Sequence, residues 1–197
     1  MHCINRLMAG ALCLGVVGAA QAADRFVIDP EHTNIVFWVD HLGYSKMVGQ
    51  FQEFSGEFVI DQEKPENGSV EITIDTSSVD TDQDKRDEHL RSPDFFNAGE
   101  FPEMTFKSTK VESAGDNAYK VTGDLTLLGT TKPVVLDMTV NKVAPNPLPN
   151  SGGVLTAGLS GRTTIKRSEF GMTTFTPNLG DEIDIWLEVE GKKKEGG

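Results

Sequence analysis

Eight segments of this chain alternate apolar and polar residues with a period of two. They cover residues 35–39, 54–60, 70–74, 104–106, 121–127, 134–140, 155–161 and 183–189. Because successive side chains of a β-strand point to opposite faces, each segment predicts a strand with one apolar and one solvated face. Turn residues such as Asn67-Gly68 and Gly180-Asp181 separate the segments. The pattern therefore predicts an all-β antiparallel meander.

Eight strands with one apolar face each leave two unpaired edges unless the sheet closes. A barrel of eight strands removes both edges, and its interior holds either packed side chains or one ligand. The chain has only two Trp and two Tyr, too few for the aromatic girdles of an outer-membrane barrel. We therefore expect an eight-stranded antiparallel barrel, with a two-sheet sandwich around a dry core as the alternative.

The period of two is lost between the third and fourth segments. Residues 81–84 can cap a helix that runs to about Arg91, and Ser92-Pro93 resembles a second helix start. Phe95 and Phe96 follow. In a meander with short turns, a crossover of this length predicts a short helical lid at one end of the barrel.

The segment over 1–22 has the pattern of a secretory signal peptide. A cationic start precedes an apolar stretch over 7–20, and Ala20-Gln21-Ala22 resembles a cleavage site. A lipoprotein signal at Cys13 is the alternative, but bulky Leu12 stands where such signals have a small residue. We expect cleavage after Ala22 and export to the periplasm.

Cleavage there would leave one domain and no cysteine. We expect a barrel domain over 23–191 and a flexible tail over 192–197. Both cysteines lie before residue 14, so the mature fold would need no disulfide even in an oxidising compartment. The formal net charge of -12 repels phosphate backbones, which excludes nucleic acid as a partner.

The interior of the barrel could be either a cavity or a dry core. Large, adaptable side chains on the inward parity suit contact with a flexible hydrocarbon; they are Phe37, Phe54, Phe58, Met104, Phe106 and Met138. Small residues on the same parity could leave a channel between them; these are Gly56, Gly123, Ala157 and Gly161. Filled barrels alternate large and small residues as well, so the pattern leaves both interpretations open.

Few polar residues stand where the strands begin or end. The groups expected at the mouth of the barrel are His32, His41, Asp87, His89 and Arg167. Their spacing does not bring three or four metal ligands together, and the chain lacks a G-x-S-x-G nucleophile motif. We therefore expect neither metal nor cofactor. The enzymatic alternative would use His41, Asp87 and His89 as acid–base groups on an isoprenoid or small apolar substrate.

Seven motifs stand in order along almost the whole of residues 24–190. They are IDPEHTNIVF at 28–37, GQF and FSG within 49–56, RDEHLRS with FF within 86–96, FPEMTF at 101–106, GDLT with GTT within 123–131, RSEFG at 167–171 and GDEI at 180–183. Together they resemble the YceI-like, polyisoprenoid-binding protein family. Thr33 stands where the family more often has Ser, which keeps the hydroxyl.

The resemblance implies a lipocalin-like barrel whose elongated apolar tunnel holds an isoprenoid chain, either a polyprenyl lipid or a quinone. It implies secretion to the periplasm and no established enzyme activity. Carriage, sequestration or storage of the lipid would need transient membrane contact, and a homodimer stays open. The residues expected to touch ligand are Ile35, Phe37, Val39, Phe54, Phe58, Ile72, Ile74, Leu90, Phe95, Phe96, Met104, Phe106, Leu125, Leu127, Leu136, Met138, Phe170 and Ile185.

Both tryptophans lie on the outward parity of their strands. Because the first and last strands of a closed meander are neighbours, Trp38 and Trp186 are expected to meet on the outer wall. Such a patch would support a dimer or a docking contact, or the segment 26–28 would cover it.

Overall fold

A single antiparallel sheet that closes on itself builds the fold. The computed structural model describes residues 23–194, so the expected signal peptide lies outside the described residues. The strands are β1 (Asp24–Ile28), β2 (Asn34–His41), β3 (Ser45–Phe51), β4 (Phe54–Ile60), β5 (Ser69–Asp75), β6 (Val79–Asp80), β7 (Glu103–Gly115), β8 (Ala118–Leu127), β9 (Thr130–Pro145), β10 (Leu155–Lys166) and β11 (Leu179–Lys193). Helix α1 (Asp84–Arg91) lies between β6 and β7.

These strands occupy eight positions around a barrel. Strand β11 pairs with β2 along one part of its length and with β1 along the rest, so β1 and β2 are two halves of one position. The strands β3 and β4 share the next position in the same way, and β5 and β6 share the position after that. Pairing of β1 with β11 closes the ring. The predicted eight-stranded antiparallel barrel with a helical crossover is thus confirmed.

The first of these divided positions has a local cause. Asp29 and Pro30 interrupt the chain between β1 and β2, where a 3-10 turn (Pro30–His32) begins. The Asp29 carboxylate accepts a hydrogen bond from the Glu31 N–H, and Pro30 has no N–H to give to a sheet. The sequence pattern predicted neither β1, β3 nor β6, because β3 mixes polar and glycine residues and β6 has only two residues.

The apolar parity faces the interior, as β9 shows most clearly. Val134, Leu136, Met138 and Val140 are buried, whereas the residues between them are exposed. Burying each methylene-sized group stabilises the fold by about 0.8 kcal/mol relative to water. The alternation therefore determines which face the sheet turns inward when it closes.

The small residues of this face do not themselves form the channel that the sequence suggested. A Cβ added to Gly161 would lie 2.3 Å from the Met138 sulfur, and one added to Gly123 would lie 2.4 Å from Cζ of Phe106. A Cβ on Gly56 would meet the backbone oxygen of Glu71 at 2.3 Å. Gly123 and Gly161 instead provide room for large side chains of the neighbouring strand to lie along the wall, which keeps the centre of the barrel open.

Residues 81–102, here called the lid, connect β6 to β7 across one end of the barrel. Helix α1 begins as predicted: the Gln83 side chain accepts a hydrogen bond from the Arg86 N–H at 2.7 Å. The helix expected after Ser92-Pro93 is a turn, in which the Phe96 N–H donates to the Leu90 carbonyl at 2.9 Å. This reversal lets the chain bury both Phe95 and Phe96. No helix within residues 23–194 is long and apolar enough to cross a membrane.

Strand β11 continues further than the sequence suggested. Lys192 pairs with Val27 in the sheet, and its ammonium lies 2.8 Å from the Asp29 carboxylate. Lys193 lies 2.6 Å from Asp24 in the same way. The flexible tail was expected to begin at Lys192. Lys192 and Lys193 instead belong to β11, where main-chain pairing and opposite charges hold them in the sheet.

Candidate functional site

The barrel contains an apolar cavity with a volume of about 170 Å³. Every residue that lines it is hydrophobic except Thr163 and Arg167, which carry polar side chains. A wall of this kind gives hydrocarbon favourable contacts and leaves few partners for water or for a polar ligand. The interior is therefore suited to a hydrophobic guest.

All but two of the residues predicted to touch ligand lie in the cavity wall. Those in the wall are Ile35, Phe37, Val39, Phe58, Ile72, Ile74, Leu90, Phe95, Phe96, Met104, Phe106, Leu125, Leu127, Leu136, Met138 and Ile185. Their contact with a ligand stays a prediction.

The other two predicted residues lie outside the cavity wall. Phe54 is the first residue of β4, just after the chain leaves β3, and it packs against the buried cluster instead. Phe170 is 2% exposed and ends a 3-10 turn, where the strand alternation that places side chains inward no longer applies.

Several wall residues were missed by the sequence pattern. Phe51 comes from β3, Met172 lies in the segment between β10 and β11, and Leu179 is the first residue of β11. Where apolar and polar residues do not alternate, the sequence does not indicate which side chains point into the barrel. Ile165 could have been found, because the alternation of β10 continues through it.

The lid forms part of the cavity wall. Leu90 on α1 and both phenylalanines that follow it line the cavity. Phe96 packs edge-on against Phe51 with ring centroids 5.5 Å apart, and Phe95 packs against His89 at 5.0 Å. The lid thus closes one end of the barrel with apolar side chains.

Arg167 is the charged residue of the wall and is 2% exposed. Its Nε donates to the Gly180 carbonyl at 2.8 Å, and Nη2 donates to that of Leu179 at 3.0 Å. Nη1 donates to the carbonyls of Met172 at 3.0 Å and Thr174 at 2.9 Å. Burial lowers the pKa of Arg167, while the nearby charge of Asp181 acts in the opposite direction. The guanidinium fastens residues 171–178, here called the strap, across the lid end of the barrel.

The three residues of the enzymatic alternative are not joined in the structure. Asp87 is buried and accepts hydrogen bonds from the N–H and the hydroxyl of Thr81. His89 lies 2.9 Å from Asp94, and His41 ends β2 opposite Ser45. Within residues 23–194, no hydrogen bond or ion pair links His41, Asp87 and His89. Of the five polar groups expected at the mouth, Arg167 lies in the cavity wall and the other four do not.

His32 belongs to an ionic cluster where β1 meets β11. Oxygen and nitrogen atoms of Asp29, His32 and Glu190 lie within 4.8 Å of one another, a spacing that could hold a metal ion. The Lys192 ammonium, however, lies 2.8 Å from the same Asp29 carboxylate and competes with any cation. The cluster is therefore better described as an ion-pair network that fastens the closing seam of the barrel.

Hydrogen bonding sets the charge states of this network. Burial alone would raise the pKa of Asp29, but hydrogen bonds from Lys192, His32 and the Glu31 N–H outweigh it and lower that pKa. The hydrogen bond to Asp29 and its negative charge raise the pKa of His32. Both groups therefore favour their charged forms.

The two tryptophans meet on the outer wall, as predicted. Their ring centroids are 4.5 Å apart, and neither lines the cavity. The N-terminal segment does not cover them, because β1 pairs with the far end of β11. Instead, the Arg162 guanidinium stacks over Trp186 at 3.8 Å and leaves that residue 40% exposed.

The chain is similar in sequence to a known domain family and to proteins of known sequence. The model of the YceI-like domain matches residues 26–191. A UPF0312 protein of Pseudomonas paraeruginosa is 42% identical over 187 residues, which cover 92% of this chain and 95% of that protein.

Two solved structures are similar to the barrel. Burkholderia cenocepacia BcnA has a TM-score of 0.75 at 28% identity, over 83% of this chain and 98% of its own. A polyisoprenoid binding domain from Saccharophagus degradans, implicated in plant cell wall breakdown, has a TM-score of 0.64 at 13% identity, over 88% of this chain and all of its own. At that identity the second likeness shows the fold alone.

Proposed function

Because the chain belongs to the YceI-like family, we propose that it is a secreted periplasmic protein that holds an isoprenoid lipid, a polyprenyl chain or a quinone, inside its barrel. The wall of the cavity carries this proposal, since all of its side chains except those of Thr163 and Arg167 are hydrophobic. The name of the Saccharophagus degradans domain gives it support from a protein of the same fold.

The energetics favour carriage, sequestration or storage over concentration of the lipid. Moving a methylene-sized group from water to an apolar site gains about 0.8 kcal/mol, so a long chain binds strongly relative to water. A prenyl lipid, however, starts in a bilayer, and its transfer exchanges one apolar environment for another. The hydrophobic gain is then close to zero, and transient membrane contact allows loading and unloading in either direction.

Uptake from vesicles tests the proposal. Delipidated protein is incubated with phosphatidylcholine vesicles that contain a prenyl quinone, separated from them, and extracted for mass spectrometry. We expect the quinone in the protein fraction. An empty protein fraction would contradict the proposed function.

A pair of adjacent substitutions on β9 locates the bound lipid. Leu136 lines the cavity, whereas Val135 is 44% exposed on the outer wall. We expect L136K to lose its load, because an unpaired charge in an apolar interior costs several kcal/mol. The matched control V135K adds the same charge outside and should remain loaded, and equal loading of the two variants would show that lipid does not occupy the cavity.

The expected location rests on the signal-peptide pattern over 1–22 and is tested separately. The intact mass of the protein released by osmotic shock should correspond to a chain that begins at Ala23. A protein that stays in the cytosol with residues 1–22 attached would contradict secretion without affecting lipid binding.

A further inference from the structure

Three large hydrophobic side chains are exposed at the lid end of the barrel. Leu42 and Tyr44 lie in the turn between β2 and β3 and are 48% and 88% exposed. The third is Phe175 of the strap, which is 61% exposed. The turn and the strap are neighbours, because His41 at the end of β2 pairs with Leu179, the residue that follows the strap. The three exposed side chains are here called the apolar rim.

The rim belongs to segments that carry no charge. The turn reads LGY over 42–44 and the strap reads GMTTFTPN over 171–178, although 24% of the chain is charged. Strand β5 leads toward the lid, so the loop 61–68 that precedes it lies at the opposite end of the barrel. That loop reads DQEKPENG and is rich in charge. The rim can therefore leave water without burying an ion, whereas the opposite end cannot.

The backbone holds Leu42 and Phe175 in a conformation that large side chains rarely adopt. Their φ angles are +60° and +61°, in the left-handed region that Gly and Asn enter more easily. Backbone hydrogen bonds fix both segments: the Tyr44 N–H donates to the His41 carbonyl at 3.0 Å, and the Leu179 N–H donates to the Phe175 carbonyl at 2.9 Å. Because Asn would suit these positions better and would meet water better, folding does not explain the apolar side chains. Strain of this kind is typical of functional positions.

Phe175 connects the rim with the cavity. Its ring centroid lies 6.3 Å from that of Phe95, a lid residue in the cavity wall, and 6.1 Å from that of His89. Met172, near the start of the strap, lines the cavity as well. Apolar side chains thus lead from the exposed rim to the cavity between the lid and the strap, which gives a hydrocarbon guest favourable contacts along the way.

We propose that the rim docks the lid end of the barrel on the surface of a lipid bilayer, with its three side chains inserted among the headgroups and upper acyl chains. A fluid bilayer accepts separate protruding side chains, whereas a protein partner needs a complementary surface. Tyr44 suits this position, because a tyrosine ring is apolar and its hydroxyl stays wet. The net charge of -12 gives no attraction to anionic lipid, so docking is hydrophobic. The inference rests on the proposed function, in which the cargo starts in a bilayer, and adds the surface that meets it.

Asparagine variants test the rim and preserve the fold. Asn adopts positive φ more readily than Leu or Phe, so L42N and F175N should unfold at a temperature no lower than that of the wild type. The matched control is L148N. Leu148 is 61% exposed, as Phe175 is, and it lies between β9 and β10 at the opposite end of the barrel.

Flotation of the delipidated full chain with pure phosphatidylcholine vesicles measures docking without any cargo. Partial burial of one large apolar side chain changes a binding constant by about tenfold. We therefore expect L42N and F175N each to bind about tenfold more weakly and the double variant about a hundredfold. L148N should equal the wild type.

Uptake of a prenyl quinone from vesicles links docking to loading. The quinone should enter L42N and F175N more slowly, in proportion to their weaker docking. The final load for each barrel should be unchanged, because neither residue lines the cavity. L148N should load at the rate of the wild type.

The outcomes distinguish the two proposals. A wild type that floats with vesicles more strongly than the double variant but takes up no quinone would overturn the proposed function and leave docking in place. A wild type that takes up quinone but floats no better than the double variant would overturn docking and leave lipid binding in place. A wild type with twice the mass of the chain in solution, reduced to one chain in the double variant, would show that the rim joins two copies and would also overturn docking.

Discussion

Gly161→Ala offers a selective way to narrow the cavity. Gly161 on β10 pairs with Met138 on β9, and the Met138 side chain lies over the glycine. The added Cβ would lie 2.3 Å from the Met138 sulfur, 3.0 Å from its Cε and 3.3 Å from a methyl of Leu187. All three are side-chain atoms, so the backbone can stay in place while Met138 moves into the cavity.

The displacement gives the size of the effect. Carbon and sulfur atoms pack at about 3.8 Å, so the sulfur must move by about 1.5 Å. In the delipidated protein, Met138 enters empty space at a cost of up to about 1.5 kcal/mol for an unfavourable rotamer. In the loaded protein the same space is occupied, and overpacking of about 1–3 kcal/mol corresponds to a roughly 5- to 150-fold loss of affinity.

The assay compares lipid uptake from quinone-containing vesicles with the thermal unfolding of delipidated protein. We expect G161A to lose uptake while its unfolding temperature changes little. The matched control is G158A on the same strand, where an added Cβ meets nothing closer than Asn141 at 4.0 Å. The double variant G161A/M138A should recover uptake, because it removes the displaced side chain. Normal uptake by G161A, or no recovery in the double variant, would refute the reasoning.

Three further predictions concern the outer wall, the seam and the lid. Replacement of both Trp38 and Trp186 by Thr should leave lipid uptake intact, because neither ring lines the cavity; loss of lipid would show that the faces are assigned wrongly, and a smaller mass in solution would identify the patch as an interface. The raised pKa of His32 stabilises the fold below its ordinary value of 6.5, and this contribution is lost as the pH rises through the raised pKa. The unfolding temperature should therefore fall with rising pH less steeply in H32Q than in the wild type, and identical slopes would contradict this role. D87A removes the acceptor on α1 that fixes Thr81, the first residue of the lid, and loss of such a buried partner costs about 1–3 kcal/mol; faster lipid release to acceptor vesicles is expected, and an unchanged rate would show that the lid does not control exchange.

The alternation of apolar and polar residues made the barrel wall predictable, because a residue's position in a strand determines which face of the sheet its side chain points to. In β9, every second residue from Val134 to Val140 is buried, and the same rule placed Ile35 and Ile185 in the wall. The rule fails where strands stop. Phe170 lies in a 3-10 turn and points into the protein core, while Met172 and Leu179 reach the cavity from a segment with no period.

The polar groups were harder to predict because their roles depend on contacts between distant parts of the chain. Nothing in the sequence near Arg167 indicates that it donates to the carbonyls of Leu179 and Gly180. The partnership of Asp29 with Lys192 depends equally on how the barrel closes. The role of glycine was misjudged for the same reason: Gly161 is small because Met138 of the paired strand lies over it.

Direct identification of the cargo tests the central claim. The protein is purified without detergent from the cells that express it and extracted with organic solvent, and the extract and the intact complex are both analysed by mass spectrometry. The apolar cavity predicts one isoprenoid lipid for each barrel, present in the wild type and absent from L136K. Two results together would contradict the claim: the intact mass of the wild-type protein equals that of the chain alone, and its extract holds no more lipid than the extract of L136K.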